Sequence, residues 1–352
     1  MAGFSDSTYV DLITTTLKDM GKLKWTDMSY DLNEHIALSQ ILNKKKVGFT
    51  GGTGIQWNMK VSGGNSAKNV GLGAQDSVNI QDYMTTAEID WRHTTANYGW
   101  ERRVLAMNRK DPEKLVDLIE VARYDCMCDI AGLAEGNFWG KPENSADKFT
   151  PYGLFYWLVG NATEGFYGQC PAGFTDVAGL DPVTAYPRHR NWTFEWVEVS
   201  KTDLIRKMRR AVKYTAMKPP APGSKPYTMG KGKSIYSVYN VIRNFEERLE
   251  EQGDNMGNDL APKDGAVMFR GIPVQWAPAL DANDQYTDPV VGIDWSVFRP
   301  VFLKGEYMRE DGPEKVSGQH TMFVVFIDCT YNFVCYNRRK LWIGTNSGTA
   351  LS

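Results

Sequence analysis

The stretch from residue 46 to 139 constrains the fold most: two strand patterns flank a glycine-rich segment, and one long amphipathic helix follows. Ile55, Trp57, Met59 and Val61 alternate with Gln56, Asn58 and Lys60, the period-two signature of a strand with one apolar face. Val78 and Ile80, then Ala87, Ile89 and Trp91, repeat the pattern on the return side. Between them Ser62–Ser77 is rich in Gly, Ser and Asn and has almost nothing to bury. An isolated two-stranded hairpin is marginal in water. Such an arm needs a surface beneath it, and the expectation is that another copy of the chain supplies it.

The helix that follows has a complete set of signals. Asp111 is placed as N-cap, Pro112 as first helical residue and Glu113 in the first turn, where its charge suits the helix dipole. Leu115, Leu118, Ile119, Ala122, Cys126, Ile130 and Leu133 form one stripe, and Gly136 is the expected stop. The spacing therefore predicts a spine helix over residues 111–136. Upstream, Ser5 or Ser7 can cap a short helix carrying Tyr9, Leu12, Ile13, Leu17 and Met20. Residues 21–45 are mixed and run into Lys44–Lys46, so residues 1–45 are expected to form an N-terminal arm.

Downstream the composition changes. Gly140–Arg190 is loop-like, rich in Gly, Pro, Asn and aromatics, and marks the start of a second lobe. Two helices of opposite charge follow. Residues 203–217 set Leu204, Ile205, Met208 and Val212 against Arg206, Lys207, Arg209, Arg210 and Lys213. Residues 235–251 set Tyr239, Ile242, Phe245 and Leu249 against Glu246, Glu247, Glu250 and Glu251. Lys218–Ser234 and Gly253–Gly265 are irregular. Ala266–Val274 reads as a short buried strand broken by Gly271 and Pro273. Thr321–Ile327 is apolar on both faces, as in a fully covered strand. Tyr331–Tyr336 and Leu341–Ile343 are expected to pair beside it, with Asn337–Lys340 as a polar turn.

At 352 residues the chain is long enough for two lobes. Its formal charge of −2 leaves no basic surplus for tight phosphate binding, so enclosing nucleic acid fits better than gripping it. Five cysteines without zinc or redox spacing suggest synthesis in a reducing compartment. Cys126 and Cys128 fall on different sides of the helix. The sequence shows no secretory signal and no apolar run of membrane length.

None of the candidate chemical motifs is complete. Gly51-Gly52-Thr53-Gly54 precedes a strand pattern, not a helix, and so lacks the helix N-terminus that holds a phosphate. Gly232-Lys233-Ser234 ends like a P-loop, but Tyr227 stands where the first glycine is required. His35, His93, His189 and His320 lack metal-ligand spacing. Asp125 with Asp129, and Glu246 with Glu250, lie one helical turn apart, where carboxylates are ordinarily solvated. No catalytic, cofactor-binding or metal-binding residue is therefore assigned. The basic helix 203–217 and the cluster Pro187-Arg188-His189-Arg190 have three readings: a solvated face, phosphate contact, or pairing with the acidic helix within or between subunits.

Several segments together resemble the major capsid proteins of tailed bacteriophages, the group with the HK97-type fold. Phe269-Arg270-Gly271-Ile272-Pro273-Val274, followed by Ala279-Leu280-Asp281, is similar to the strand–turn segment of their second lobe. Tyr331-Asn332-Phe333-Val334-Cys335-Tyr336-Asn337-Arg338-Arg339-Lys340 is similar to their closing strand, with its Asn-Leu-x-Cys-x-Asn-Arg-Arg run. The order of elements agrees across nearly the whole chain.

The resemblance implies an α+β capsid fold. Residues 1–45 would be the N-terminal arm and 46–97 the extended loop. A peripheral domain would take 98–147 with 319–352, and an axial domain 148–318. It also implies a structural protein, not an enzyme, that assembles with itself into hexamers and pentamers of an icosahedral virion shell around double-stranded DNA. Contact with that DNA would be non-specific. A portal and decoration proteins are further expected partners, and no membrane is involved. No long charged scaffold segment precedes the arm, and Met1 favours a separate scaffolding protein. Some relatives crosslink a lysine of this loop; Lys60 and Lys68 lie in the right region, but nothing selects either, and no crosslink is assigned. The alternatives are an encapsulin-like compartment on the same fold, and a soluble α+β enzyme whose site converges in the 140–190 or 253–265 loops.

Overall fold

The structure, a computed structural model, describes residues 47–49, 51–60, 69, 84–103, 112–216, 232–252, 267–349 and 351. The arm expected over 1–45, most of the hairpin tip, Lys68, and the greater part of the 218–234 and 253–265 segments lie outside these residues.

In chain order, β1 (Val47–Phe49), β2 (Gly54–Lys60), β3 (Met84–Asp90) and β4 (Arg92–Glu101) lead to the long helix α1 (Pro112–Trp139). Next come α2 (Leu154–Trp157), β5 (Gly165–Gly168), β6 (Asn191–Trp196), α3 (Leu204–Thr215), β7 (Lys233–Ser237) and α4 (Tyr239–Gln252). The chain closes with β8 (Met268–Phe269), β9 (Ile272–Trp276), α5 (Pro278–Asp281), β10 (Val290–Asp294), β11 (Phe298–Leu303), β12 (Arg309–Lys315), β13 (Met322–Cys335) and β14 (Trp342–Asn346).

Three sheets organise these elements. A five-stranded sheet runs β1-β11-β13-β12, with β4 also paired to β13 from Met322↔Glu101 to Tyr331↔Arg92. A seven-stranded sheet runs β5-β6-β14-β10-β7-β9-β8, and β2 with β3 make the antiparallel hairpin. On β13, Ile327 packs with Cys126 and Ile130 of α1 and with Ala96 and Tyr98 of β4. The main core gathers the end of α1, all of α2 and the inward residues of the seven-stranded sheet.

Five expectations are corrected. Helix α1 does not stop at Gly136 but continues to Trp139. Phe138 and Trp139 are fully buried, and burying two aromatics outweighs the roughly 1 kcal/mol that glycine costs in a helix. Leu133, expected in the apolar stripe, is half exposed.

Thr321–Ile327 and Tyr331–Tyr336 are not neighbours in a sheet; both fall on the one fourteen-residue strand β13. Its Cys329–Cys335 part is buried, whereas Phe326 remains exposed. Leu341–Ile343 leads into β14 of the other sheet.

Ala266–Val274 is a tight hairpin and not a single strand. Arg270 and Gly271 both take positive φ (53° and 75°), as a two-residue type I′ turn requires. The acidic helix begins only at Tyr239, since Ile235 and Tyr236 lie buried in β7 between β9 and β10. Tyr239 itself is exposed and sits edge-on to Trp276 at 5.5 Å. Finally, the chain crosses between the large sheets more often than boundaries at 148 and 319 allow: β11 and β12 join the five-stranded sheet, and β14 the seven-stranded one.

Candidate assembly surface and its anchor

The hairpin β2–β3 is held by its own chain. Ile55, Ala87 and Ile89 enter the main core, and Trp57 packs 6.0 Å from Tyr336 and 6.1 Å from Trp157, centroid to centroid. The Glu88 N–H donates to the Ala178 carbonyl at 3.1 Å. The expectation that another copy covers this apolar face is thus corrected for the base of the hairpin. Sequence periodicity reveals an apolar face but not what lies beneath it; here Trp157, Tyr336 and the loop at Ala178 do.

Two side chains fix the direction in which the hairpin leaves the body. Asn332, fully buried on β13, donates from Nδ2 to the Asp90 carbonyl at 2.7 Å and accepts the Tyr152 N–H at 2.9 Å. Arg92 is buried as the chain turns from β3 into β4. Its Nε donates to the Thr150 carbonyl, and its Nη2 donates to the Asp147 carbonyl and the Tyr152 hydroxyl, each at 3.1 Å. The guanidinium lies 5.0 Å from the Tyr152 ring centroid. What extends beyond Lys60 and Met84 therefore starts from a clamped pair of strand ends.

A second buried arginine ties the loop-rich region together. Arg338, expected on a polar turn, is only 1% exposed. Nε donates to the Trp157 carbonyl at 2.7 Å, Nη1 to the His189 carbonyl at 2.8 Å, and Nη2 to the Gln169 carbonyl at 2.8 Å and Asn191 Oδ1 at 3.2 Å. Every one of these partners is a neutral oxygen. Burial lowers the Arg338 pKa to about 10, which leaves it charged at neutral pH. His189 beside it is pushed down to about 3, by burial first and then by the Arg338 charge, and its buried Nε2 has no hydrogen-bond partner.

The remaining sequence candidates are dispersed. The Pro187–Arg190 cluster is not one basic patch: His189 is buried, and Arg190 is tied to the carbonyls of Pro182 (2.7 Å) and Val183 (2.9 Å). Only Arg188 of the three is exposed. Gly51–Gly54 leads into β2, and Lys233 and Ser234 open strand β7, so neither glycine motif sits at a helix N-terminus. His93 is hydrogen-bonded to Thr330 Oγ1 at 2.8 Å, His320 is exposed, and His35 lies outside the described residues. Asp125 and Asp129 are exposed on α1. Among the described residues no cluster of His, Cys, Asp and Glu could hold a metal, and no helix is long and apolar enough to cross a membrane.

Helix α3 buries Leu204, Met208, Ala211, Val212 and Thr215 and exposes Arg206, Arg209, Arg210 and Lys213. Its ion pairs go to Glu164 from Arg210 (2.9 Å) and to Asp203 from Lys207 (2.6 Å), neither of which is on α4. Exposed apolar side chains are scattered over the body: Tyr124 and Leu133 on α1, Phe149, Val197, Tyr214 and Met268. The free edge β12, Arg309–Lys315, is exposed and charged throughout, a composition that discourages indiscriminate strand pairing.

The same arrangement occurs in solved capsids. The chain superposes on the capsid asymmetric unit of cyanophage A-1(L) with a TM-score of 0.60 at 13% identity, covering 94% of this chain and 99% of the other. It matches the capsid of a native GTA particle with a TM-score of 0.57 at 10% identity, covering 95% and 98%. The capsid of Myoviridae phage XM1 gives 0.53 at 9% identity, covering 94% and 98%. The chain has the HK97-type capsid fold. No protein-family model and no curated protein sequence matches it. The likeness is therefore one of backbone architecture, kept at identities where few side chains coincide.

Proposed function

We propose that this chain is the major capsid protein of a tailed double-stranded DNA bacteriophage, a structural subunit without enzymatic activity. The observation that carries this reading is the whole-chain, two-way coverage by capsid subunits, 94% of one and 99% of the other. A hairpin clamped at its base by Asn332 and Arg92 supports it, since such an arm can reach a neighbour in a fixed direction. Shell stability would come from many modest contacts closed by symmetry.

In this reading residues 1–45 serve as arm and 46–97 as extended loop. The segments 98–147 with 319–352 build the peripheral domain and 148–318 the axial domain, with β11, β12 and β14 exchanged between their sheets. The partners are further copies in hexamers and pentamers, a separate scaffolding protein, a portal, decoration proteins and, non-specifically, the packaged DNA. Near-neutral net charge suits enclosure over tight binding. The protein would reside in the virion.

Expression followed by sedimentation and negative-stain microscopy tests this. Megadalton shells are expected, with nuclease-protected DNA in particles from infected cells. Protein cargo in place of DNA would indicate an encapsulin-like compartment, and a small globular species would overturn the shell reading.

A further inference from the structure

Helices α3 and α4 lie on one face of the seven-stranded sheet and flank a groove of about 300 Å³ floored by Ile205, Met208, Phe245 and Val274. They sit toward opposite ends of that sheet. Helix α3 packs on β6 and β14, and α4 on β9, in the order β5-β6-β14-β10-β7-β9-β8. Their outward faces carry opposite charge. Arg206, Arg209 and Lys213 are exposed on α3 and have no ion-pair partner among the described residues. Tyr214 beside them is half exposed yet held flat against Trp192, with centroids 4.8 Å apart and planes 11° apart. Rigid tyrosine and arginine at a surface is the composition of interface hot spots. Helix α4 exposes Glu246 and Glu247, and its last turns add Glu250 and Glu251.

A lobe with a basic helix at one end and an acidic helix at the other cannot satisfy both faces by a two-fold contact that uses the same patch twice. It can do so head to tail, where each copy presents α3 to the α4 of the next and a ring closes. We propose that α3 of one copy docks on α4 of the adjacent copy, so that complementary charge sets the rotational register within a capsomer. The proposal rests on the shell-subunit reading above.

Charge reversal tests it. Arg206→Glu with Lys213→Glu, and separately Glu247→Lys with Glu250→Lys, should each raise the protein concentration needed for assembly roughly tenfold or more at 50 mM salt. The difference should shrink toward unity near 1 M salt, where screening is nearly complete. Combining all four substitutions in one chain should restore assembly. Circular dichroism confirms that each variant folds. Should a reversal fail to fold, Arg206→Gln with Lys213→Gln replaces it and is expected to shift assembly in the same direction, by less. If wild type forms shells and the reversed pairs assemble equally well at every salt concentration, or the fourfold variant is not rescued, the pairing is overturned while the shell reading stands. If wild type forms no shells, the shell reading itself falls.

Discussion

Arg338 offers the sharpest test of what holds the loop-rich region in place. It is a buried guanidinium satisfied only by neutral oxygens, so two large effects oppose each other. Removing the side chain relieves the desolvation of a charge, which costs several kcal/mol. It also orphans the carbonyls of Trp157, His189 and Gln169, each worth about 1–3 kcal/mol when buried without a partner, and it opens a cavity. The hydrogen bonds should win. Arg338→Ala is expected to lower the unfolding free energy by about 3–5 kcal/mol. With an unfolding entropy of about 2.1 cal/mol/K per residue over 352 residues, that corresponds to a drop of roughly 4–7 °C in Tm. Arg338→Met separates the terms, since it keeps most of the volume, removes the charge and still orphans the oxygens; a loss of about 2 kcal/mol is expected. Urea unfolding of the unassembled chain, followed by tryptophan fluorescence, reads both. A methionine variant as stable as wild type would refute the reasoning, because burying the cation would then bring no net benefit.

Three further outcomes follow from the same structure. His189 is held neutral with a pKa near 3, so between about pH 6.5 and 3 the unfolded chain binds the extra proton. Its contribution, on the order of 4 kcal/mol, is complete above pH 6.5 and is lost as the pH falls toward 3; His189→Gln should flatten that part of a stability–pH curve. Gly136→Ala should stabilise α1 by about 0.5–1 kcal/mol, since an added Cβ meets nothing within 4 Å. Gly153→Ala should cost about 2–3 kcal/mol, because its Cβ would fall 2.1 Å from the Asn137 carbonyl oxygen and 2.4 Å from that of Gly140; thermal melts of both variants check the contrast. Ile55→Ala and Ile89→Ala should each destabilise the unassembled chain by about 2–4 kcal/mol, and a change below 1 kcal/mol in denaturant titration would show that the hairpin base is not packed in its own subunit.

By itself the sequence determined the local elements whose signals are local. The alternation through Ile55–Met59 specifies strand β2, the Asp-Pro-Glu entry and apolar stripe specify α1, and the amphipathic pattern of 203–217 specifies α3. Together with the closing-strand residues and the order of elements, these pointed to the fold later matched by the solved capsids. Tertiary structure decided what depends on contacts far apart in the chain. Gly136 is a stop signal only until Phe138 and Trp139 find a core to enter. Arg338 looks like a solvent-facing turn residue until segments at 157, 169, 189 and 191 turn their carbonyls toward it. Asn332 and Arg92 carry no pattern that marks them as clamps. Periodicity reports which face of an element is apolar, but the partner of that face, and the oxygen that a buried charge will meet, are set by long-range packing.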